Sequence, residues 1–258
     1  MDFFGVPIWV ALLICLGVFC ASFMDAIGGG GGIISLPSYL LAGLPMHFAL
    51  GTNKLSSCIG TVASTLRYIK NGCVDWLLGI PSIGLALIGA HFGTRLQLLV
   101  DEQYLKFILL LVLPVTAVIL LKKKSLPETK EPMGEWKRRT IVWSASLVIG
   151  AYDGFYGPGT GTFLLLIFCY LAKLDVRTAS GNVKLVNLAS NIGALATSLM
   201  AGKVLIPLGL LSAVFATAGQ YLGAGLALKN GSRIVRPVIL VVLVLLAGKI
   251  LLEFFGIG

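Results

Sequence analysis

Apolar residues arrive in successive runs of about 20, the length that crosses roughly 30 Å of hydrocarbon at 1.5 Å per residue. Short polar or glycine-rich breaks separate the runs. The pattern predicts helices at 6–26, 33–43, 48–70, 74–98 and 102–121, a charged linker at 122–139, and further helices at 140–153, 162–172, 178–201, 204–228 and 233–255. The first run, Val6 to Phe23, has neither a basic leader nor a small-x-small cleavage site, so it is expected to remain as a helix. The linker, KKKSLPETKEPMGEWKRR, holds two prolines and reads as a solvent-exposed join between a first transmembrane repeat at 1–121 and a second at 140–258.

The two halves repeat each other at an offset of about 130 positions. Ala49, Gly51, Lys54 and Leu55 fall on Ala179, Gly181, Lys184 and Leu185. Gly72, Val74, Leu78 and Gly79 fall on Gly202, Val204, Leu208 and Gly209, and Gly89, Gly93 and Leu96 on Gly219, Gly223 and Leu226. With a small slip, Asp25 and the run Gly28 to Gly32 align with Asp153 and the run Gly157 to Gly161. The expected fold is therefore an all-α polytopic helical membrane protein of two repeats of about five helices each, with a glycine-rich break before a short helix in each.

Composition narrows the class. At 57% hydrophobic against 12% charged residues, the 258-residue chain is excluded as a soluble globule. Its net charge of +9 does not point to nucleic acid, because the first duty of Lys and Arg around apolar spans is to set topology. With five crossings per repeat and the linker in the cytoplasm, the loops holding Arg67 and Lys70, Lys173 and Arg177, and Lys229, Arg233 and Arg236 also fall inside, about fourteen of the 20 basic residues in all. The basic residues switch loops between the halves, as inverted repeats require, and both termini are expected outside. Cys15, Cys20, Cys58, Cys73 and Cys169 form no CxxC pair, and His47 and His91 stand far apart and are expected at an interface or packed. Neither a metal site nor a cofactor is expected.

The chemistry concentrates at four places. Lys54 and Lys184 each lie about two turns into the third helix of a half, at bilayer depth, with no neighbouring carboxylate in sequence. Snorkelling to the interface is one explanation. The other rests on their company, Gly51, Thr52, Asn53, Ser56 and Ser57 in one half and Ser180, Gly181, Asn182, Asn187, Ser190 and Asn191 in the other, which suits the lining of a watery cavity. Two cations without counter-ions in such a lining would attract an anion. The glycine runs, with Gly29, Gly30, Gly31 and Gly32 in one half and Gly157, Gly159, Thr160 and Gly161 in the other, break the chain ahead of a short helix, where freed amides can serve a ligand. Close helix packing is the rival account of the glycines; a nucleotide-binding loop is excluded, since no strand precedes and no GK[ST] follows.

The segments MDAIGGGGGIISLPSYLLAGLPMHFALGTNKLSS, YDGFYGPGTGTF and DVRTASGNVKLVNLASN resemble the sulfite exporter TauE/SafE family, also called the 4-toluene sulfonate uptake permease family. The resemblance spans almost the whole chain and implies transport of sulfite, a sulfonate, or a related sulfur oxyanion or organic anion. It carries family segments onto Gly28 to Gly32, Asn53, Lys54, Gly157 to Gly161, Lys184, Asn187 and Asn191; Val183 stands where the first half has Asn53, so the half-sites differ.

The expected function is a secondary transporter, not an enzyme, in the cell membrane, carrying a small anion by alternating access between the repeats. Lys54 and Lys184 would supply charge, Asn53, Ser57, Asn187 and Asn191 directional donors, and the glycine-run amides the rest. The expected partners are the anion, the lipid bilayer and a second copy in a homodimer. Two alternatives are a proton- or cation-coupled carrier of another solute using Asp25 and Asp153, and a membrane thiol-redox or assembly protein using the cysteines.

Overall fold

The computed structural model describes residues 2–3, 6–41, 43–101, 104, 132–230 and 233–234. Eight helices make up most of them: α1 (Ile8–Gly28), α2 (Gly32–Leu41), α3 (Met46–Lys70), α4 (Trp76–Leu99), α5 (Glu135–Phe155), α6 (Thr160–Leu166, running into a π-helical turn at Ile167–Leu171), α7 (Val176–Met200) and α8 (Ile206–Asn230). A two-residue ladder pairs Asp2–Phe3 with Val6–Pro7. The helices predicted at 102–121 and 233–255, and linker residues 122–131, lie outside the described residues apart from isolated positions.

The eight helices match the predicted ones within a few residues. The largest difference is α5, which starts at Glu135 rather than 140, so residues 135–139 are helix rather than linker. Two contacts explain the early start. Glu135 places an acid in the first turn, where the helix dipole favours it, and Arg138, although basic, is buried, donating from Nε to the Ala172 carbonyl at 3.0 Å and pairing with Glu135. Elsewhere the boundaries follow local rules. Asp75 caps α4 by accepting from the Leu77 and Leu78 N–H groups at 3.1 and 3.4 Å, and Asp175 caps α7 through Arg177 and Thr178, both at 3.0 Å.

Several positions paired by the sequence offset share local geometry. α3 and α7 end in the same turn, with Gly72 and Gly202 both at φ +66°, Cys73 N–H donating to Tyr68 O at 3.1 Å and Lys203 N–H to Ser198 O at 2.9 Å. Contacts between the halves also come in pairs with roles exchanged. Gly51 of α3 abuts the Lys203 carbonyl, and its counterpart Gly181 of α7 abuts the Cys73 carbonyl. Gly79 faces Leu185, and Gly209 faces Leu55. Gly89 and Gly93 of α4 let α5 approach at Leu147 and Ala151, while Gly219 and Gly223 of α8 let α1 approach at Phe19 and Phe23. Small residues that bring backbones together are how helices associate where lipid removes the hydrophobic drive.

The helix directions follow from the same contacts. α3 and α7, the third helices of the two halves, cross antiparallel: Lys54 near the start of α3 reaches Asn191 late in α7, and Thr65 late in α3 bonds the Lys184 carbonyl early in α7. α1 runs alongside α8, and α4 alongside α5, with residue numbers rising together.

Among the described residues four helices, α1, α4, α7 and α8, are long and apolar enough to cross a membrane. Their outward faces carry bare apolar side chains such as Leu12, Leu16, Ile80, Phe92, Leu210 and Val214, which water would penalise and lipid would not. The chain is a membrane protein. α3 is as long, but Lys54, Arg67 and Lys70 lower its hydropathy, and its polar side faces α7 and α8 instead of lipid. At ten residues, about 15 Å, α2 is too short to cross on its own.

Candidate functional site

The two glycine breaks meet at the centre of the molecule. Gly29 and Gly30 (φ +77° and +85°) and Gly157 and Gly159 (φ +97° and +85°) take left-handed conformations that an L side chain adopts only at a cost. They turn the chain from the end of α1 into α2 and from the end of α5 into α6. A side chain at Gly29 would strike the backbone of Gly161 and Thr162, and one at Gly161 would strike Gly29, so the runs cross backbone to backbone. Thr162 Oγ1 ties the crossing by donating to the Gly28 carbonyl at 2.9 Å. Close packing, the rival account of the glycines, therefore holds for Gly29 and Gly161.

Beside this crossing lies a cavity of about 50 Å³. Of the sequence-predicted residues, Asp25, Gly30, Gly31, Gly32, Asn53, Lys54, Ser57, Asp153, Gly157, Gly159, Thr160, Gly161, Asn187 and Asn191 line it. Gly29 and Lys184 do not; they border a smaller void of about 10 Å³ behind Asp25. Seven residues not foreseen as site residues also face the cavity: Ala21, Ser22, Ser35, Leu36, Thr61, Tyr156 and Pro158. So does an eighth, Gln220. Thr61 lies one turn beyond Ser57 and is the repeat counterpart of Asn191, so helical spacing could have found it. Gln220 has no counterpart, but it is the one amide in the apolar run from Ile206 to Leu228.

The expectation that Lys54 and Lys184 lack counter-ions is corrected. Lys54 Nζ sits 2.8 Å from Asp153 Oδ2, and Lys184 Nζ sits 2.7 Å from Asp25 Oδ2. Each lysine is paired with the aspartate of the other half, so neither snorkels; Lys54 is 6% exposed and Lys184 2%. The partners escaped a reading by sequence neighbourhood because both lie across the repeat boundary. The four charges sum to zero, and the centre is not an uncompensated cationic pocket.

The two pairs are held differently. Lys184 also donates to the backbone carbonyl of Asp25 at 2.6 Å, and the Asp25 carboxylate receives Gln220 Nε2 at 2.8 Å and the Gly31 N–H at 3.5 Å. Lys54 also donates to Asn191 Oδ1 at 3.2 Å, and Asp153 Oδ2 receives the Ser190 hydroxyl at 2.6 Å. Lys54 opens on the cavity, while Lys184 is sealed behind it.

Several polar groups in the lining are unused. Asn53 and Asn187 bury Oδ1 atoms with no hydrogen-bond partner, as does the Oε1 of Gln220. Among the described residues the amide nitrogens of Asn53, Asn187 and Asn191 and the N–H groups of Gly30 and Gly159 donate to no protein acceptor. Buried polar groups normally find partners, and leaving one unmet costs about 1–3 kcal/mol. An assembly of unmet donors and acceptors beside one lysine in a cavity is suited to a polar guest.

The remaining candidates lie outside the cavity lining. His91 Nδ1 lies 2.9 Å from Thr197 Oγ1, and His47 pairs with Gln97. Cys15, Cys73 and Cys169 are buried, and none of the five cysteines is in a disulfide.

Comparison with known proteins shows the family of the chain. The family model described as "Sulfite exporter TauE/SafE" matches residues 13–250. A "Probable membrane transporter protein ORF9" from Sinorhizobium sp is 35% identical over 240 residues, 92% of this chain and 91% of the relative. "Probable membrane transporter protein YfcA" of Escherichia coli (strain K12) is 32% identical over 259 residues, covering 98% and 91%. A "Probable membrane transporter protein" of Haemophilus influenzae is 30% identical over 249 residues, 95% of each chain. No solved structure matches. With a family model covering nearly its whole length and relatives aligned end to end, the chain belongs to the sulfite exporter TauE/SafE family of membrane transporters.

Proposed function

We propose that the protein is a secondary carrier of a small oxyanion, a sulfur oxyanion such as sulfite or a short sulfonate foremost, bound in the central cavity. The observation that carries this reading is Lys54 opening on a space of about 50 Å³ in whose lining the amide nitrogens of Asn53, Asn187 and Asn191 and the N–H groups of Gly30 and Gly159 have no protein acceptor. One water needs about 10–15 Å³, so the space is larger than a single water site and admits an ion as small as sulfite or sulfate. The oxygens of such an ion accept from amides and an ammonium without requiring donors of their own.

The halves act as inverted repeats. The antiparallel crossing of α3 and α7 and the exchanged contacts between halves support this, and rocking one half against the other would open the cavity alternately to the two sides. The linker faces the cytoplasm by the distribution of basic residues, which puts the protein in the cell membrane.

The test is uptake of radiolabelled sulfite, sulfate, thiosulfate and methanesulfonate into proteoliposomes. At least one should accumulate saturably and be competed by the others. Uptake no greater than in empty liposomes for the whole panel would overturn the reading.

A further inference from the structure

The charge balance of the cavity carries a second step, which rests on the anion-carrier reading. Lys54, Asp153, Asp25 and Lys184 cancel, so a bound monoanion leaves one uncompensated negative charge in a buried space, an expensive state. We propose that Asp153 takes up a proton as the anion binds, and that the anion replaces the Asp153 carboxylate as the partner of Lys54.

The surroundings single out Asp153 over Asp25. Asp25 receives three donors, the Lys184 ammonium, the Gln220 amide N–H and the Gly31 N–H, and only a flip of the Gln220 amide would set an acceptor, its unpartnered Oε1, against it. A protonated Asp25 would leave these donors facing a weaker acceptor and would set its own proton among other donors. Asp153 instead meets Ser190, whose hydroxyl has two acceptors in reach, Asp153 Oδ2 at 2.6 Å and the Asn187 carbonyl at 3.1 Å. When Asp153 is ionised, Ser190 donates to it. When Asp153 is protonated, Ser190 turns its hydrogen to Asn187 and accepts from the new O–H, so both states are satisfied with no movement of heavy atoms. The proton bonds to the Asp153 carboxylate, Lys54 Nζ shifts its hydrogen bond to a substrate oxygen, and the cavity stays neutral. The other charged or titratable groups facing the space are Asp25 from α1, with Lys184 of α7 behind it, and Tyr156; α2, α4, α6 and α8 bring none to the lining. Loading of a monoanion is thereby coupled to one proton, and Asp25–Lys184 is a fixed strut.

Methanesulfonate and thiosulfate are suitable probes because neither takes up a proton itself near neutral pH. Binding of both to the purified protein is measured by calorimetry at a series of pH values, and proton uptake is read with a dye in weak buffer. The wild type should bind up to about tenfold more tightly for each pH unit lowered and take up about one proton per methanesulfonate. Asp153→Asn should bind with no pH dependence and no proton uptake, while Asp25→Asn combined with Lys184→Met, which removes both charges of the second pair and leaves the centre neutral, should keep both. Anion binding in the wild type without proton uptake overturns the proposal, whether or not the variants fold, and so does an Asp153→Asn protein as pH-dependent as the wild type. No binding of either probe at any pH, together with failed uptake of the panel, would sink the carrier reading itself.

Discussion

Lys184 Nζ reaches both the carboxylate of Asp25, at 2.7 Å, and the backbone carbonyl of the same residue, at 2.6 Å, so one ammonium ties the last turn of α1 to α7. The equivalent lysine, Lys54, pairs instead with Asp153 and Asn191 at the edge of the cavity. Equivalent positions in the two halves thus have a structural role in one and a cavity-facing one in the other.

Lys184→Met should therefore be a stability mutation. It leaves the Asp25 carboxylate, whose side chain is 18% exposed, without its counter-charge, a loss somewhat below the ~3–5 kcal/mol of a fully buried pair. Adding Asp25→Asn should return part of that stability, since no charge is then stranded. Thermal unfolding in detergent of the single and double variants checks this; a double variant no more stable than Lys184→Met would count against the strut.

Packing should also answer symmetrically. Gly51→Ala would drive a methyl into the Lys203 carbonyl, and Gly181→Ala into the Cys73 carbonyl. Each should cost about 1–3 kcal/mol by overpacking, whereas Gly84→Ala, which meets open space, should be tolerated. Midpoints that fall for only one of the two paired glycines would show that the halves are less alike than their contacts.

Inversion of the halves is tested at two equivalent, exposed loop positions, Asn71 after α3 and Ala201 after α7. In a background with all five cysteines changed to Ser or Ala, Asn71→Cys should label from the cytoplasm and Ala201→Cys from outside. Labelling from one side would contradict inverted repeats. The cysteine-free background should itself keep transport, because no cysteine lines the cavity; its loss would revive the thiol-redox reading.

Much of this arrangement was legible in the sequence because repetition and misplaced polarity are both local signals. The offset of 130 picked out Gly51 and Gly181, which do the same job, and a lysine inside an apolar run is conspicuous. Fourteen of the 16 candidate residues do border one cavity. Pairing was not legible. Asp25 and Lys184 stand 159 positions apart, and only the crossing of the halves brings them together, so two cations read as unpaired were in fact neutralised. Sequence pattern therefore puts Lys184 in the site, whereas it supports the wall behind it. Gln220 was missed for a related reason: the repeat was the guide, and Gln220 has no counterpart in the first half.

Lys54 is where the account is most exposed, and the stranded-charge problem can be avoided by working in an Asp153→Asn background. There, Lys54→Met removes the ammonium without leaving a buried carboxylate unpaired. The measurement is the affinity of Asp153→Asn and of Asp153→Asn with Lys54→Met for methanesulfonate and thiosulfate. A charge-assisted hydrogen bond to the anion is worth about 1.5–3 kcal/mol, so the second protein should bind roughly tenfold to more than a hundredfold more weakly. Equal affinities in the two proteins would contradict the claim that the central cavity holds an oxyanion on Lys54.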